Sequence, residues 1–435
     1  MFEPVSSGQT GIDFENTICP SDEFNVLTYN YLYNGAGVGV GDFDRDGLPD
    51  LYFAGNQVSS RLYLNRGEFR FEDKTVSAGV TTTRWCTGVS VADVNADGWP
   101  DVYVSVANHR WSPSRGNLLF INQGLRNGSP VFREMAAEYG LADTLYCSQA
   151  AFFDYDHDGD LDCYLLHNFP ENSTQNNLRP KRTDGSHRST DRLLRNEGSD
   201  TRLKHPIFHD VSQTAGISIE GYGLGLAISD LNQDGWPDVY CANDFISNDL
   251  LWLNQKNGTF RNAIGSLLRH QSYNSMGVDV ADYDNDARPD VLVLDMLPEG
   301  SPRQKIMLAS QNFDKHALST SQAYGYQPQF IRNVLQRNNG PGPDGQLSFS
   351  EVGQLAGVEK TDWSWSCLFA DYDNDGFKDL SITNGYRKDV TDRDFLAFSD
   401  QYMLFGSAET EQQKRQELLA KIPEIKVSQA TLETK

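Results

Sequence analysis

Residues 42–50 read DFDRDGLPD, and the same nine-residue pattern, DxDxDGxxD with small variations, returns at 93–101, 154–162, 230–238, 282–290 and 371–379. Successive copies begin 51, 61, 76, 52 and 89 residues apart. A recurring unit of about 50 residues with insertions of variable length marks a repeat architecture. A unit of that size cannot bury a core alone, so the copies must stack on one another.

The flanks repeat with the loops. Upstream, small and apolar residues alternate, as in GAGVGVG before Asp42 and YGLGLAIS before Asp230, which is the period of a strand. Downstream come LYFAGN, VYVSVAN and VYCAND, rich in Val, Tyr and Phe and again strand-like. A third element (LYLNRG, LLFINQG, LLWLNQ, NVLQRNNG) and a fourth (FEDKTVSAGV, FHDVSQTAGI, FSEVGQLAGV) complete the unit. Four short strands per unit make a blade, so the sequence predicts an all-β propeller of six or seven four-stranded blades. The segment GIDFENT at 11–17 is similar to the fourth element, which places an orphan outer strand before the first blade, able to complete the last one. After the sixth loop the chain offers LSITNGY and then a charged, helix-like tail containing AETEQQKRQELLAKI. The expected division is a propeller over 11–390 and a helical tail, or an incomplete last blade, over 391–435.

Alternate carboxylates at loop positions 1, 3 and 5, a turn residue at 6 and a carboxylate at 9 can converge on one hard cation. The candidate ligands are Asp42, Asp44, Asp46 and Asp50; Asp93, Asn95, Asp97 and Asp101; Asp154, Asp156, Asp158 and Asp162; Asp230, Asn232, Asp234 and Asp238; Asp282, Asp284, Asp286 and Asp290; and Asp371, Asp373, Asp375 and Asp379. Ca²⁺ suits them, because it accepts six to eight oxygens in tolerant geometry, whereas Mg²⁺ dehydrates reluctantly and demands an octahedron. An EF-hand would need a bidentate Glu at position 12. Here position 12 is Phe53, Val104, Leu165, Cys241, Val293 and Ile382, all apolar, so the loops join strands. The six sites should differ. Asn95 and Asn232 each remove a charge, and in the fifth loop Ala287 replaces the turn glycine and Arg288 adds a repulsive charge, which makes that site the expected weakest.

The 435 residues carry 37 basic against 60 acidic side chains, a net charge of −23. The six loops hold 23 acidic residues, equal to that net charge, and six bound Ca²⁺ would bring it to −11. The acidity therefore reads as metal sites. It argues against a nucleic-acid partner, whose binding needs clustered Lys and Arg. No apolar run is long enough to span a bilayer, Asp295 ending even Val291–Leu294. The N-terminal MFEPVSSGQTG lacks the basic patch and apolar core of a secretory signal, so the chain is either cytoplasmic or lacks its leader. Six cysteines lie far apart, without a CxxC pair, and are expected as free thiols.

GIDFENT, YNGAGVGVGDFDRDGLPDLYFAGN, DMLPEGSPRQK and RNVLQRNNG together resemble FG-GAP and VCBS repeat propellers, and more narrowly the bacterial relatives of cartilage acidic protein, a group often carrying a C-terminal ASPIC/UnbV module. The resemblance covers about residues 11–390. It implies a calcium-stabilised, seven-bladed propeller on a secreted, periplasmic or cell-surface protein, of a kind associated with outer-membrane nutrient uptake, and assigns the metal role to the six loops.

Three insertions, 109–117, 169–191 and 296–332, interrupt the repeat, and inserted loops on rigid scaffolds are where function usually sits. The second carries Arg179, Lys181, Arg182 and Arg188; the third carries Arg303, Lys305, Tyr324, Tyr326 and Arg332 and is the candidate ligand surface. GxSxG, HExxH and GxxxxGK[ST] do not occur, and GAGVGVG lacks dinucleotide-loop spacing. His157 sits at a non-ligating loop position, while His109 and His167 follow second strands. The leading reading is a binding or scaffold module for a glycan or partner protein. The alternative is a calcium-dependent polysaccharide lyase or hydrolase in which a base and a Tyr from 296–332 abstract a proton.

Overall fold

The computed structural model describes residues 3–107, 116–170, 177–199, 202–307, 313–343, 345–405, 410–423 and 431–433. Five sheets contain four antiparallel strands each. The first runs Val38–Gly41, Asp50–Phe53, Arg61–Asn65 and Phe71–Asp73, neighbours in the sheet being neighbours in sequence. The next four begin with Cys86–Ala92, Cys147–Phe153, Gly223–Ser229 and Val278–Ala281. A sixth sheet has Ser364–Ala370, Asp379–Asn384 and Thr431–Glu433. These are six propeller blades, the last with three strands among the described residues.

The fourth sequence element divides in two. FEDKTVSAGV gives a three-residue strand and the helical turn Thr75–Ala78, which ends because Gly79 adopts φ 79°. First strands of successive blades nearly touch. A Cβ on Gly88 would lie 2.7 Å from the Ser148 carbonyl oxygen, and one on Gly277 2.5 Å from that of Trp365, so only glycine permits the approach. The first strands therefore line the axis.

Strand alternation gives each blade two apolar faces, one for each neighbour. Tyr52 meets Val102 and Val104 between blades one and two, and Tyr103 meets Cys163 and Leu165 between two and three. Trp252 packs with Tyr164 between three and four, Tyr240 with Val291 between four and five, and Leu292 with Ile382 between five and six. Blades six and one share no such core among the described residues. Their inner strands leave Val38, Val40 and Leu368 at 53%, 57% and 54% exposure, on the faces that are covered in every other blade. The ring has a seam there.

One end of the axis is closed by an apolar plug. Phe24, Tyr29 and Leu32 pack with Trp85, Met276, Trp363 and Tyr386, and with Phe395, Leu418 and Ile422 at the helices Arg393–Phe405 and Glu411–Lys421. Trp363 stacks on Tyr386 at 4.2 Å, and the Tyr386 hydroxyl donates to the Asn30 carbonyl at 2.8 Å. Because Trp85 and Trp363 precede their inner strands and the aspartate loops follow them, plug and loops occupy opposite ends.

One expectation changes. Residues 11–17 form no strand and do not join the last blade. They lie against blade one, with Phe14 stacked on Phe53 at 5.2 Å and Asp13 accepting the Tyr63 hydroxyl at 2.7 Å. In the insertion 296–332, three of the five candidate side chains are engaged within the fold, while Lys305 is exposed and Tyr324 is partly exposed. Arg303 is paired with Asp362 (2.9 Å) and Asp389, Arg332 bonds His270 (2.8 Å) and Glu351 (3.3 Å), and Tyr326 is buried. Arg179 of the second insertion is likewise held, against Glu220 at 2.7 Å. His109 lies outside the described residues. All six cysteines are free and five are buried.

Candidate metal centres

Each loop follows an inner strand and precedes a second strand, so backbone geometry folds it before any cation is considered. In the first, Asp42 accepts the amides of Asp46 (3.0 Å) and Gly47 (2.9 Å), and Asp46 accepts that of Leu48 (2.9 Å). The third repeats this: Asp154 takes the amides of Asp158 and Gly159, and Asp158 that of Asp160. Position 6 is left-handed in all six, from φ 84° to 97° at glycine and 66° at Ala287. Position 4 is left-handed too, at Arg45, Ala96, His157, Gln233, Asn285 and Asn374.

That second left-handed residue links neighbouring loops. Arg45 lies 4.5 Å over Trp99 and His157 stacks on Trp236 at 4.0 Å. Gln233 donates to the Ala287 carbonyl at 2.5 Å and Asn285 to that of Gly376 at 3.0 Å. In these four loops position 4 thus reaches position 6 or 7 of the next, and the His157 ring is used in that stacking contact.

Position 9 has a structural role that sequence reading did not assign. Asp50 is fully buried and accepts the amides of Phe43 (2.8 Å) and Asn65 (2.7 Å). Asp101, Asp162, Asp238 and Asp290 hold Asn122, Asn196, Asn254 and Asn338 in the same way. A readable signal existed, since the third element of each of the first five blades carries this Asn at one register, as in LYLNRG and LLRNEG. Burial pushes the position-9 carboxyl up, to about 6 at Asp50 and Asp290, about 7 at Asp101 and Asp238, and about 8 at Asp162, with the neighbouring loop acids adding to the effect.

Positions 1, 3 and 9 converge. Asp42, Asp44 and Asp50 bring carboxylate oxygens within 4.8 Å of one another, as do Asp154, Asp156 and Asp162; Asp282, Asp284 and Asp290; and Asp371, Asp373 and Asp379. Any of the four could hold a metal ion. The loops with Asn95 and Asn232 do not assemble three carboxylates. The donor set fits a hard cation on a second ground. The Oδ1 atoms of Asp44, Asp156 and Asp284, all at position 3, are buried without a hydrogen-bond partner. An orphaned buried acceptor costs roughly 1–3 kcal/mol, and a cation removes that cost.

Basic side chains distinguish the loops. Arg66 contacts Asp44 at 2.9 Å, Lys256 contacts Asp234 at 3.2 Å, and Arg337 contacts Asp284 at 2.7 Å, while Arg288 pairs with Asp286. The fifth loop is therefore doubly neutralised as well as strained. The third, with five acids, has no ion pair among the described residues. Replacing Ala287 with Gly is expected to stabilise the protein by about 1 kcal/mol by relieving the left-handed strain. An unchanged denaturant midpoint would count against that account.

The FG-GAP-like repeat pattern matches residues 31–104 and 230–293, which contain the loops at 42–50, 93–101, 230–238 and 282–290. The chain carries FG-GAP-like repeats. It is homologous to human cartilage acidic protein 1, at 26% identity over 211 residues, 48% of this chain and 28% of that protein. The Xenopus tropicalis protein of the same name is 25% identical over 219 residues, 50% of this chain and 30% of that one. The matched region thus spans under a third of these relatives' length. Among solved structures, an Agrocybe aegerita lectin that recognises non-reducing terminal N-acetylglucosamine is similar at 16% identity, covering 81% of this chain and 75% of that one, with a TM-score of 0.42. The V. cholerae biofilm matrix protein Bap1 is similar at 13% identity, over 72% and 38% of the two chains, with a TM-score of 0.34. Each of the two matched stretches contains two of the acidic loops.

Proposed function

We propose that this FG-GAP-repeat protein is a calcium-stabilised binding or scaffold propeller, with a glycan or a partner protein as ligand. The observation carrying the calcium assignment is the buried, unpartnered position-3 oxygen in three loops. Asp42, Asp44, Asp46 and Asp50, and their equivalents in the other loops, would hold the ion. Its contribution is charge neutralisation where acids crowd at a blade's edge, which fixes each loop and, through position 4, its neighbour. The domain arrangement that suits this is a propeller over 11–390 with a tail over 391–435.

A secreted, periplasmic or cell-surface setting supplies the millimolar calcium at which extracellular modules fill such sites. No helix among the described residues is long and apolar enough to cross a membrane. Binding, not turnover, is favoured because Arg303 and Arg332 are committed to ion pairs and Tyr326 is buried with its hydroxyl pushed well above the usual phenol range by burial. A glycan panel scored for retention and for unsaturated product tests this. Calcium-dependent retention without product is expected, and product from any uronate polymer would overturn it.

A further inference from the structure

Beneath the plug the inner strands enclose a cavity of about 340 Å³, at the small end of the ~300–1,000 Å³ typical of ligand sites. Its walls are unlike the rest of the surface. Trp85, Tyr146 and Trp365 supply aromatic faces, and Asn34, Gln149 and Asn168 supply amides. Among the described residues, no Asp, Glu, Lys, Arg or His lines it, in a chain with 97 charged side chains other than His.

Two of those amides are incomplete. Asn168 is 5% exposed and Asn34 is half-buried, and the Oδ1 of each is buried with no hydrogen-bond partner. Both are acceptors lacking a donor. The cavity also has an entrance: Val38 and Ser366, which belong to its lining, are exposed on the two sides of the seam between blades one and six.

We propose that this axial cavity is a binding site for a neutral saccharide, one or two sugar rings entering through the seam. The chemistry narrows the ligand class. Sugar hydroxyls supply the donors that Asn34 Oδ1 and Asn168 Oδ1 lack, and the apolar faces of a pyranose ring pack on Trp and Tyr. A purely apolar ligand would seal two amide acceptors away from water, at a cost of roughly 1–3 kcal/mol each. A uronate or phosphate would be stripped of water with no cation among the described lining residues to meet it. This assignment rests on the binding reading above and gives that reading its site.

The test uses the full, calcium-loaded chain and calorimetric titration with neutral disaccharides terminated in glucose, galactose or N-acetylglucosamine, alongside a galacturonate dimer. Asn168→Ala removes one acceptor. Because Asn168 also donates to the Gly223 carbonyl at 3.4 Å, Ser366→Trp is the second variant, filling the entrance from an exposed position. Binding of at least one neutral disaccharide, weakened tenfold or more by each variant and absent for the uronate, is the expected result. Unchanged affinity in both folded variants would overturn the cavity assignment while leaving the binding reading intact. No binding of any neutral disaccharide would overturn it as well, and retention on the glycan panel then decides separately whether the binding reading survives.

Discussion

Stripping calcium from the protein is expected to lower its unfolding temperature by roughly ten degrees or more, and magnesium is expected to recover little of the loss. A ligand that binds only the native state at a hundred times its dissociation constant adds about 2.7 kcal/mol per site. Four loops here bring three carboxylates together. In a repeat fold such increments sum approximately, with neighbour terms added. Those terms have a physical carrier in Arg45 over Trp99, His157 on Trp236 and Asn285 bonded to Gly376, so that ordering one loop braces the next. Magnesium should fail because it retains its water and requires an octahedron that a backbone-fixed loop cannot tighten to provide. Differential scanning calorimetry in millimolar calcium, magnesium and chelator reads this directly. Equal transitions in all three would reduce the loops to acidic turns.

The propeller was legible because its determinants are local and recur. Each loop fixes its own turn through Asp42-type contacts two to five residues away, and each strand shows its period within a few residues. The parts that were not legible depend on distant contacts. Arg303 is consumed by Asp362 and Asp389, 59 and 86 residues along the chain, and no local pattern distinguishes such an arginine from a free one. The plug joins Asn30 to Tyr386 across 356 residues. Residues 11–17 illustrate the opposite error: a true likeness to the fourth element suggested a strand, but Phe14 and Asp13 take their partners from Phe53 and Tyr63 of the first blade. The position-9 role was visible in principle, since Asn65, Asn122, Asn196, Asn254 and Asn338 repeat as regularly as the aspartates they bond.

That division of labour within a loop makes two substitutions in the third loop behave oppositely. Asp156→Ala deletes a position-3 carboxylate whose Oδ1 is buried without a partner, in a loop of five acids. In chelator it should raise stability by about 1 kcal/mol, because an orphaned charge leaves the fold. In calcium it should lower stability, because a ligand is gone. Asp162→Ala deletes the buried carboxylate that accepts the amides of Tyr155 (3.2 Å) and Asn196 (2.8 Å). Stranding two buried backbone donors costs roughly 1–3 kcal/mol each whether or not an ion is bound, so this variant should be destabilised in both conditions. Urea unfolding of the two variants, each with calcium and with chelator, gives four differences from the parent chain. A sign change for Asp156→Ala alone identifies position 3 as the metal-dedicated carboxylate and position 9 as the one that also holds the blade. If both variants lose the same amount in chelator, position 3 is a structural acceptor and the case for a cation built on its unpartnered oxygen falls.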